Sequence, residues 1–498
     1  MKKFTAIGII LIFVLQILIA CGAEAAKKTE DTTKAIETEI TEESTYPDER
    51  INRKDNLPAD LDFGGQEVRI LLRAYNYWEL DFPEQSTGDV IHDAVYEKNL
   101  RVQDRLNVKF RFGVLPRGGE FSGSISDLQN ILLSGDDMYD LGSITSNILI
   151  TYGSLMTPLL MELSGLKYVD LDQPWWNIKT INEISHDGKS IKFLFGESSV
   201  TLAAYTTCMF YNKKMYNDYY GDPDELYRIT LDGKWTLDYF DALCRNMYED
   251  LNGDGIADVD DQYGLCFDGY IFSVYMLGLT DAKMSGRDSN GKVKLDMDLN
   301  RLMTFTEKMY NLCYNNPGVK YYSGNDPALL PAPLFMGRKM AFSASYLSRA
   351  IEYRAMEDDY GILPMPKLDE QQSAYRSFMT VHISSLFIPK PSKISETVSA
   401  VMEALASDGY RNVTELYCEV ALKTKYSRDE YSGQAIDLII STQYTDFLNM
   451  YLGHLNNSAY IVYDVVSGKS TDLMSYYAKN EAKYQTALEK LINTLSEG

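Results

Sequence analysis

Histidine is scarce in this chain. Four occur in 498 residues, at His92, His186, His382 and His454, and none sits in a HExxH or HxH arrangement. That removes the usual histidine frames for a catalytic metal. GxSxG, Walker and GxGxxG loops are missing as well, so nothing points to a nucleophile-elbow hydrolase, a P-loop NTPase or a dinucleotide enzyme. The six cysteines are scattered without CxxC spacing, which speaks against a disulfide framework or a zinc site. Cys208, Cys244, Cys266, Cys313 and Cys418 read as small buried apolar residues, with a single disulfide left open. Positive charge is short too: 48 Lys and Arg face 71 Asp and Glu, for a net −23. A surface of that sign suits neither nucleic acid nor anionic lipid headgroups. Carboxylate pairs of glycosidase type occur here by number alone, so they give an enzyme no positive support. The expectation is a non-enzyme.

What is present begins at the N-terminus. Lys2 and Lys3 precede an apolar run from Ile9 to Ile19 broken only by Gln16, and Leu18-Ile19-Ala20-Cys21 closes it. The run is short for a membrane span and has the layout of a secretory signal. With cysteine at its end it resembles a bacterial lipoprotein signal, in which residues 1–20 are removed and Cys21 carries lipid. The competing reading is an uncleaved short anchor. Either way the rest of the chain works outside the cytoplasm, on the extracellular face of the membrane. Loss of residues 1–20 removes two lysines and no acid, taking the charge from −23 to −25. No later stretch is apolar enough to span a bilayer.

Residues 21–62 are rich in Thr, Glu, Lys and Asp and read as a disordered acidic tether with a reach of roughly 35 Å. Apolar order starts with a strand at Glu67–Leu72. A helix over Asp89–Asn107, a strand at Val108–Phe112, a helix over Ile125–Leu133 and a strand at Tyr139–Ile144 follow. This alternation predicts an α/β fold with a mainly parallel sheet, whose ligands bind beyond the carboxyl ends of the strands. Further strands are expected at 191–195, 207–211, 263–267, 340–344, 360–363 and 383–388, and helices at 394–406 and 473–495. Thr236 is set to cap a helix.

The sharpest local motif is Asp250-Leu-Asn252-Gly-Asp254-Gly255-Ile256-Ala-Asp258-Val-Asp260-Asp261. Side-chain oxygens at loop positions 1, 3, 5, 9 and 12, a carbonyl at 7 (Ile256) and glycine at 6 match what a hard Ca²⁺ ion needs. Aspartate at position 12 resembles the dockerin form of the loop. The predicted ligands of a structural Ca²⁺ are Asp250, Asn252, Asp254, Ile256, Asp258 and Asp261; the plainer reading is a solvated Asx-rich turn.

Several segments in order resemble the extracellular solute-binding proteins of bacterial ABC importers, in the sugar-binding group that includes maltose-binding protein. They are Phe210-Tyr211-Asn212-Lys213-Lys214-Met215-Tyr216, Trp235-Thr236-Leu237-Asp238, Phe335-Met336-Gly337-Arg338-Lys339-Met340-Ala341, Tyr360-Gly361-Ile362-Leu363-Pro364 and Ile388-Pro389-Lys390. Asp250 to Leu265 resembles an insert of Gram-positive lipoproteins of this kind. The resemblance implies a type II two-lobe fold with an interlobe cleft. Residues 63–193 and 366–407 would form lobe 1, and 194–365 and 408–498 lobe 2. It further implies a lipid-anchored, monomeric receptor that delivers a carbohydrate to ABC permease subunits, with a polysaccharide-acting surface enzyme or a glycan adhesin as the alternative. Sugars present apolar C–H faces rimmed by hydroxyls, so aromatic and short polar side chains at strand ends are the candidates: Tyr77 and Trp78, and Ser143, Ser146 and Asn147. The resemblance further implies Tyr205, before the tyrosine-asparagine-lysine segment, and Asp268 and Tyr270, and Ser345 and Tyr346, after strands where the family carries ligand loops. Trp175 and Trp176 join them as the most conspicuous aromatic pair, whereas Trp235 reads as a packing residue.

Overall fold

The computed structural model describes residues 48–73, 81–269, 276–322, 331–419 and 430–497. The chain forms two compact units, residues 1–53 and 54–498; the described part of the first contributes a short helix, Asp48–Asn52.

Two sheets organise the second unit. The first has the order β12-β3-β1-β2, from β1 (Gln66–Leu72), β2 (Val108–Val114), β3 (Leu141–Thr145) and, far along the chain, β12 (Ser384–Phe387). β1 is parallel to both β2 and β3, and β12 runs antiparallel to β3. The helix Val90–Leu106 is amphipathic as its spacing predicts, burying Ile91, Val95, Val102 and Leu106; the Asp89 carboxylate caps it by accepting from the Ile91 and His92 amides. The helix Ser395–Asn412 packs on it, and Arg101 donates to Asp408 at 3.0 and 2.6 Å. In that second helix a side chain at Gly409 would meet the Glu197 carbonyl at 1.7 Å, so only glycine allows the approach.

The second sheet has the order β10-β4-β9-β5-β8, from β4 (Thr207–Asn212), β5 (Tyr263–Asp268), β8 (Val319–Tyr322), β9 (Met340–Tyr346) and β10 (Tyr360–Leu363). β5 is parallel to β8 and β9, and β4 is antiparallel to β9 and β10. Two small pairings complete the set, the hairpin of β6 (Ser285–Arg287) with β7 (Val293–Leu295) and β11 (Ser377–Phe378) with β13 (Gln443–Tyr444). The last helix, Leu473–Ser496, touches residues 154–159 beside the first sheet and the helix Leu299–Tyr314 beside the second.

Two expectations change. Residues 54–62, placed in the tether, are folded: Asp55 accepts from Arg105 and Ser407, and Leu57 is buried. Their acidic, apolar-poor sequence hid this because their partners lie far along the chain. Residues 191–195 are not a strand of either sheet; Leu194 alone bridges Leu386 as the chain passes from one sheet to the other. The five described cysteines are buried and form no disulfide with one another, and Trp235 is buried in the core with its indole N–H on the Pro364 carbonyl at 2.9 Å. Thr236 caps its helix. No described helix is long and apolar enough to cross a membrane.

Candidate functional site

In both sheets the chain enters an antiparallel strand at the edge where the parallel strands end. β12 begins with Ser384 opposite Thr145, the last residue of β3, and β4 begins with Thr207 opposite Tyr346, the last residue of β9. The segments feeding those strands, 194–206 and 379–383, are the crossings between the sheets, and they are tied to each other. The Thr380 amide donates to the Tyr205 carbonyl at 3.2 Å, the Phe378 amide to Thr207 Oγ1 at 2.9 Å and the Ser384 amide to Thr201 Oγ1 at 2.9 Å.

The carboxyl ends of strands from both sheets therefore meet at the crossings. Tyr205 and Tyr346 lie with ring centroids 5.4 Å apart, and His382, on the second crossing, packs against them at 5.9 and 6.1 Å. Burial, with the Arg73 charge adding to it, pushes His382 down to about 4, so the imidazole is neutral at neutral pH. Arg73 immediately follows β1. It donates to Thr145 Oγ1 at 3.3 Å, and Thr145 in turn donates to Asn147 Oδ1 at 2.6 Å. Its Nε reaches the Gly118 carbonyl and Ser124 Oγ. A cluster of nearly buried neutral rings, Tyr205 and Tyr346 meeting edge to face, thus stands beside a guanidinium and a row of hydroxyl and amide groups, chemistry that suits a polyhydroxylated ring.

The other nominated residues sit around this junction in different ways. Ser146 is a pin: its hydroxyl donates to the Ile383 carbonyl at 3.0 Å and lies 2.7 Å from Ser385 Oγ. Ser143 donates to Asp81 Oδ2 at 2.9 Å. Asp81 is buried among Ser143, Ser199 and Ser384, and that burial raises its pKa. Beside it Lys98 is also buried, pushed down to about 8, with its ammonium on the Ser198 carbonyl. This polar knot fixes the first crossing to the first sheet. Asp268 ends β5 and Ser345 is the penultimate residue of the neighbouring parallel strand β9; both are buried. Tyr77, Trp78, Tyr270 and Cys21 lie outside the described residues.

Trp175 and Trp176 belong to the core. They are 0% and 3% exposed, and their indole N–H groups donate to the two oxygens of Glu403 at 3.0 and 2.9 Å. An indole N–H in the interior needs an acceptor, and this pair shares one carboxylate. Sequence reading missed Arg73, His382, Asp81 and Glu403. Arg73 alone left a signal, as a charge directly after an apolar strand.

The Asp250–Asp261 loop turns its oxygens onto its own backbone. Asp250 accepts from the Gly253 and Gly255 amides at 2.7 and 2.9 Å, Asn252 from Asp254, Asp254 from Ile256 and Asp258 from Asp260. Asp261 is fully buried and accepts from the Leu251 and Asp258 amides and from the Tyr248 hydroxyl. Gly253 and Gly255 take φ of 75° and 73°, which the winding requires. The donor set is all oxygen, as a hard cation demands. Among the described residues, no group of three or more His, Cys, Asp or Glu converges on a metal position.

No protein-family model and no curated protein matches the chain. Solved structures do match its fold. UgpB from Mycobacterium tuberculosis, in complex with glycerophosphocholine, is 14% identical with a TM-score of 0.54, over 86% of this chain and 99% of that one. The GacH receptor of Streptomyces glaucescens, solved unliganded and with acarbose and an acarbose homolog, is 12% identical with a TM-score of 0.51, over 85% and 99%. A cyclo/maltodextrin-binding protein complexed with maltotetraose is 12% identical with a TM-score of 0.51, over 87% and 97%. The likeness is one of fold: the chain has the two-lobe α/β architecture of these binding proteins.

Proposed function

We propose that the protein is an extracellular solute receptor, lipid-anchored through Cys21. In this reading it captures a carbohydrate, an oligosaccharide in the first instance, between its two sheets and delivers it to an ABC permease as a monomer. One observation carries this: Tyr205, Tyr346 and His382 form an aromatic cluster where strand ends from both sheets and both crossings meet, beside Arg73, Thr145 and Asn147. A solute held there touches both lobes, and only a ligand with different affinity for open and closed states shifts a hinge between them. The acarbose and maltotetraose complexes of GacH and the cyclo/maltodextrin-binding protein support the sugar reading. The glycerophosphocholine complex of UgpB favours a glycerophosphodiester as the second candidate.

Calorimetry against oligosaccharides and glycerophosphodiesters, with product analysis, tests the proposal. Binding without turnover is expected, together with compaction in small-angle scattering; Tyr205→Ala and Tyr346→Ala should each weaken binding by roughly 0.5–1.5 kcal/mol. Turnover, or tight binding indifferent to both substitutions, would sink it. Cys21→Ala should release the protein from membranes. The Asp250–Asp261 loop is proposed to hold a structural Ca²⁺ through Asp250, Asn252, Asp254, Ile256, Asp258 and Asp261. Free calcium at about 100 times its dissociation constant would then add roughly 2.7 kcal/mol of stability. Asp250→Ala with Asp254→Ala should abolish that gain, and a wild-type melting curve indifferent to chelator would exclude an occupied site.

A further inference from the structure

Behind the crossings, on the other side of the β11–β13 pairing, lies a separate groove of about 730 Å³. Its walls are the helix Ile178–Ile184, the β6–β7 hairpin and the stretches 372–376 and 441–446, and it shares no lining residue with the Tyr205–Tyr346–His382 junction. Most charges around it are already committed. Arg287 donates to the carbonyls of Asn182, Glu183 and Ser185 at the end of the helix, Lys283 pairs with Asp296, and Asp281 pairs with Arg301. The Arg376 guanidinium lies 3.5 Å from the Tyr444 ring centroid and donates to the Thr280 carbonyl, so stacking sets its direction.

Three acceptors are left over. Asp446 is 5% exposed, yet its carboxylate holds only the Leu448 amide at 2.8 Å and the Ser285 hydroxyl at 3.2 Å. Thr445, 3% exposed, buries a hydroxyl with no hydrogen-bond partner. Glu183, across the groove on the helix, has no ion pair among the described residues; its charge adds to burial in pushing Asp446 up to about 6, and of the groups that oppose that shift the Arg376 guanidinium, turned onto the Tyr444 ring, acts most weakly. A buried carboxylate facing a second one is costly unless a cation completes the set. An ammonium group brings one positive charge and three N–H donors, matching two carboxylates and a hydroxyl.

We propose that this groove is a second ligand site, for a small primary amine whose ammonium is held by Asp446, Glu183 and Thr445. The site is independent of the solute proposed for the cleft. It abuts the second crossing directly, because the Met379 amide donates to the Tyr444 carbonyl at 2.8 Å, one residue before Thr445.

The test is calorimetric titration of the full chain with ethanolamine, against ethylene glycol and acetate at matched ionic strength. Saturable binding of ethanolamine alone is expected, weakened about tenfold or more by Glu183→Gln and by Thr445→Val. Asp446→Asn keeps an oxygen to cap the helix that begins at Phe447, so it should fold and also lose binding. Equal response to ethylene glycol, no saturable binding of ethanolamine, or ethanolamine binding unchanged in the folded variants would each overturn the assignment.

Discussion

The two lobes fill their interiors by different chemistry. Around the first sheet, two adjacent tryptophans share one buried carboxylate, Glu403. Around the second, aromatic rings pack on one another: Phe210 meets Tyr353 and Tyr360 edge to face at 4.9 and 5.6 Å, and Phe342 stacks on Trp235 and meets Phe240 edge to face. The tryptophan there gives its N–H to a backbone carbonyl. Both arrangements satisfy the indole N–H, but only the first does so with a group that titrates. Aromatic content alone says nothing about how a lobe answers to pH; the acceptor beneath the ring does.

The largest test of that contrast is Phe210→Ala. Losing a fully buried ring at the centre of the second lobe should cost about 3–5 kcal/mol, at all pH values alike, measured by denaturant unfolding. Next is pH. Burial pushes Glu403 up to about 7 against the pull of the two indoles and the Asp170 amide. A folded value above the unfolded 4.5 means that unfolding releases the proton. This contribution is therefore full below about 4.5 and drains as pH rises to about 7, on the order of 3 kcal/mol. Stability curves of wild type and Glu403→Gln should diverge across that window; parallel curves would refute the titrating acceptor. At a fixed pH of 5, where Glu403 is protonated, Glu403→Gln should cost about 1–3 kcal/mol, because the amide NH2 that replaces the acid hydroxyl cannot accept and leaves an indole N–H unpaired. The smallest effect is Trp235→Phe, about 1–2 kcal/mol for the orphaned Pro364 carbonyl and lost ring volume, with no pH dependence.

The fold was legible wherever a signal is local. The helix Val90–Leu106 follows from its apolar spacing and Asp89 cap, and β1 from its apolar run. Tyr346 could be nominated because it stands at a strand end, and Tyr205 because it precedes the segment that resembles the solute-binding family. Their meeting with His382 could not, since that contact is made through a crossing far along the chain. Arg73 and Asp81 were hidden for the same reason: a buried charge is marked by partners, and these come from Ser124, Thr145 and Ser143 on other elements. The tryptophan pair misled because adjacency is visible in sequence and burial is not. Glu403, which decides it, lies 228 residues from Trp175.

That separation also sets an order of assembly. The first sheet takes its edge strand from residues paired across 239 positions, Ser146 with Ser385, and the carboxylate for its tryptophans comes later still. A chain emerging N-terminus first holds residues 66–195 without an edge, without the covering helix Ser395–Asn412 and with two indoles unpaired. The second sheet draws all its strands from 207–363 and closes over shorter loops, with Asn212 reaching Asp358 across 146 positions. Loop closure favours the shorter connection. The sheet that begins the sequence is therefore the one that gains its last strand later, and until residue 403 is free to fold its apolar face stays open to whatever meets the nascent chain.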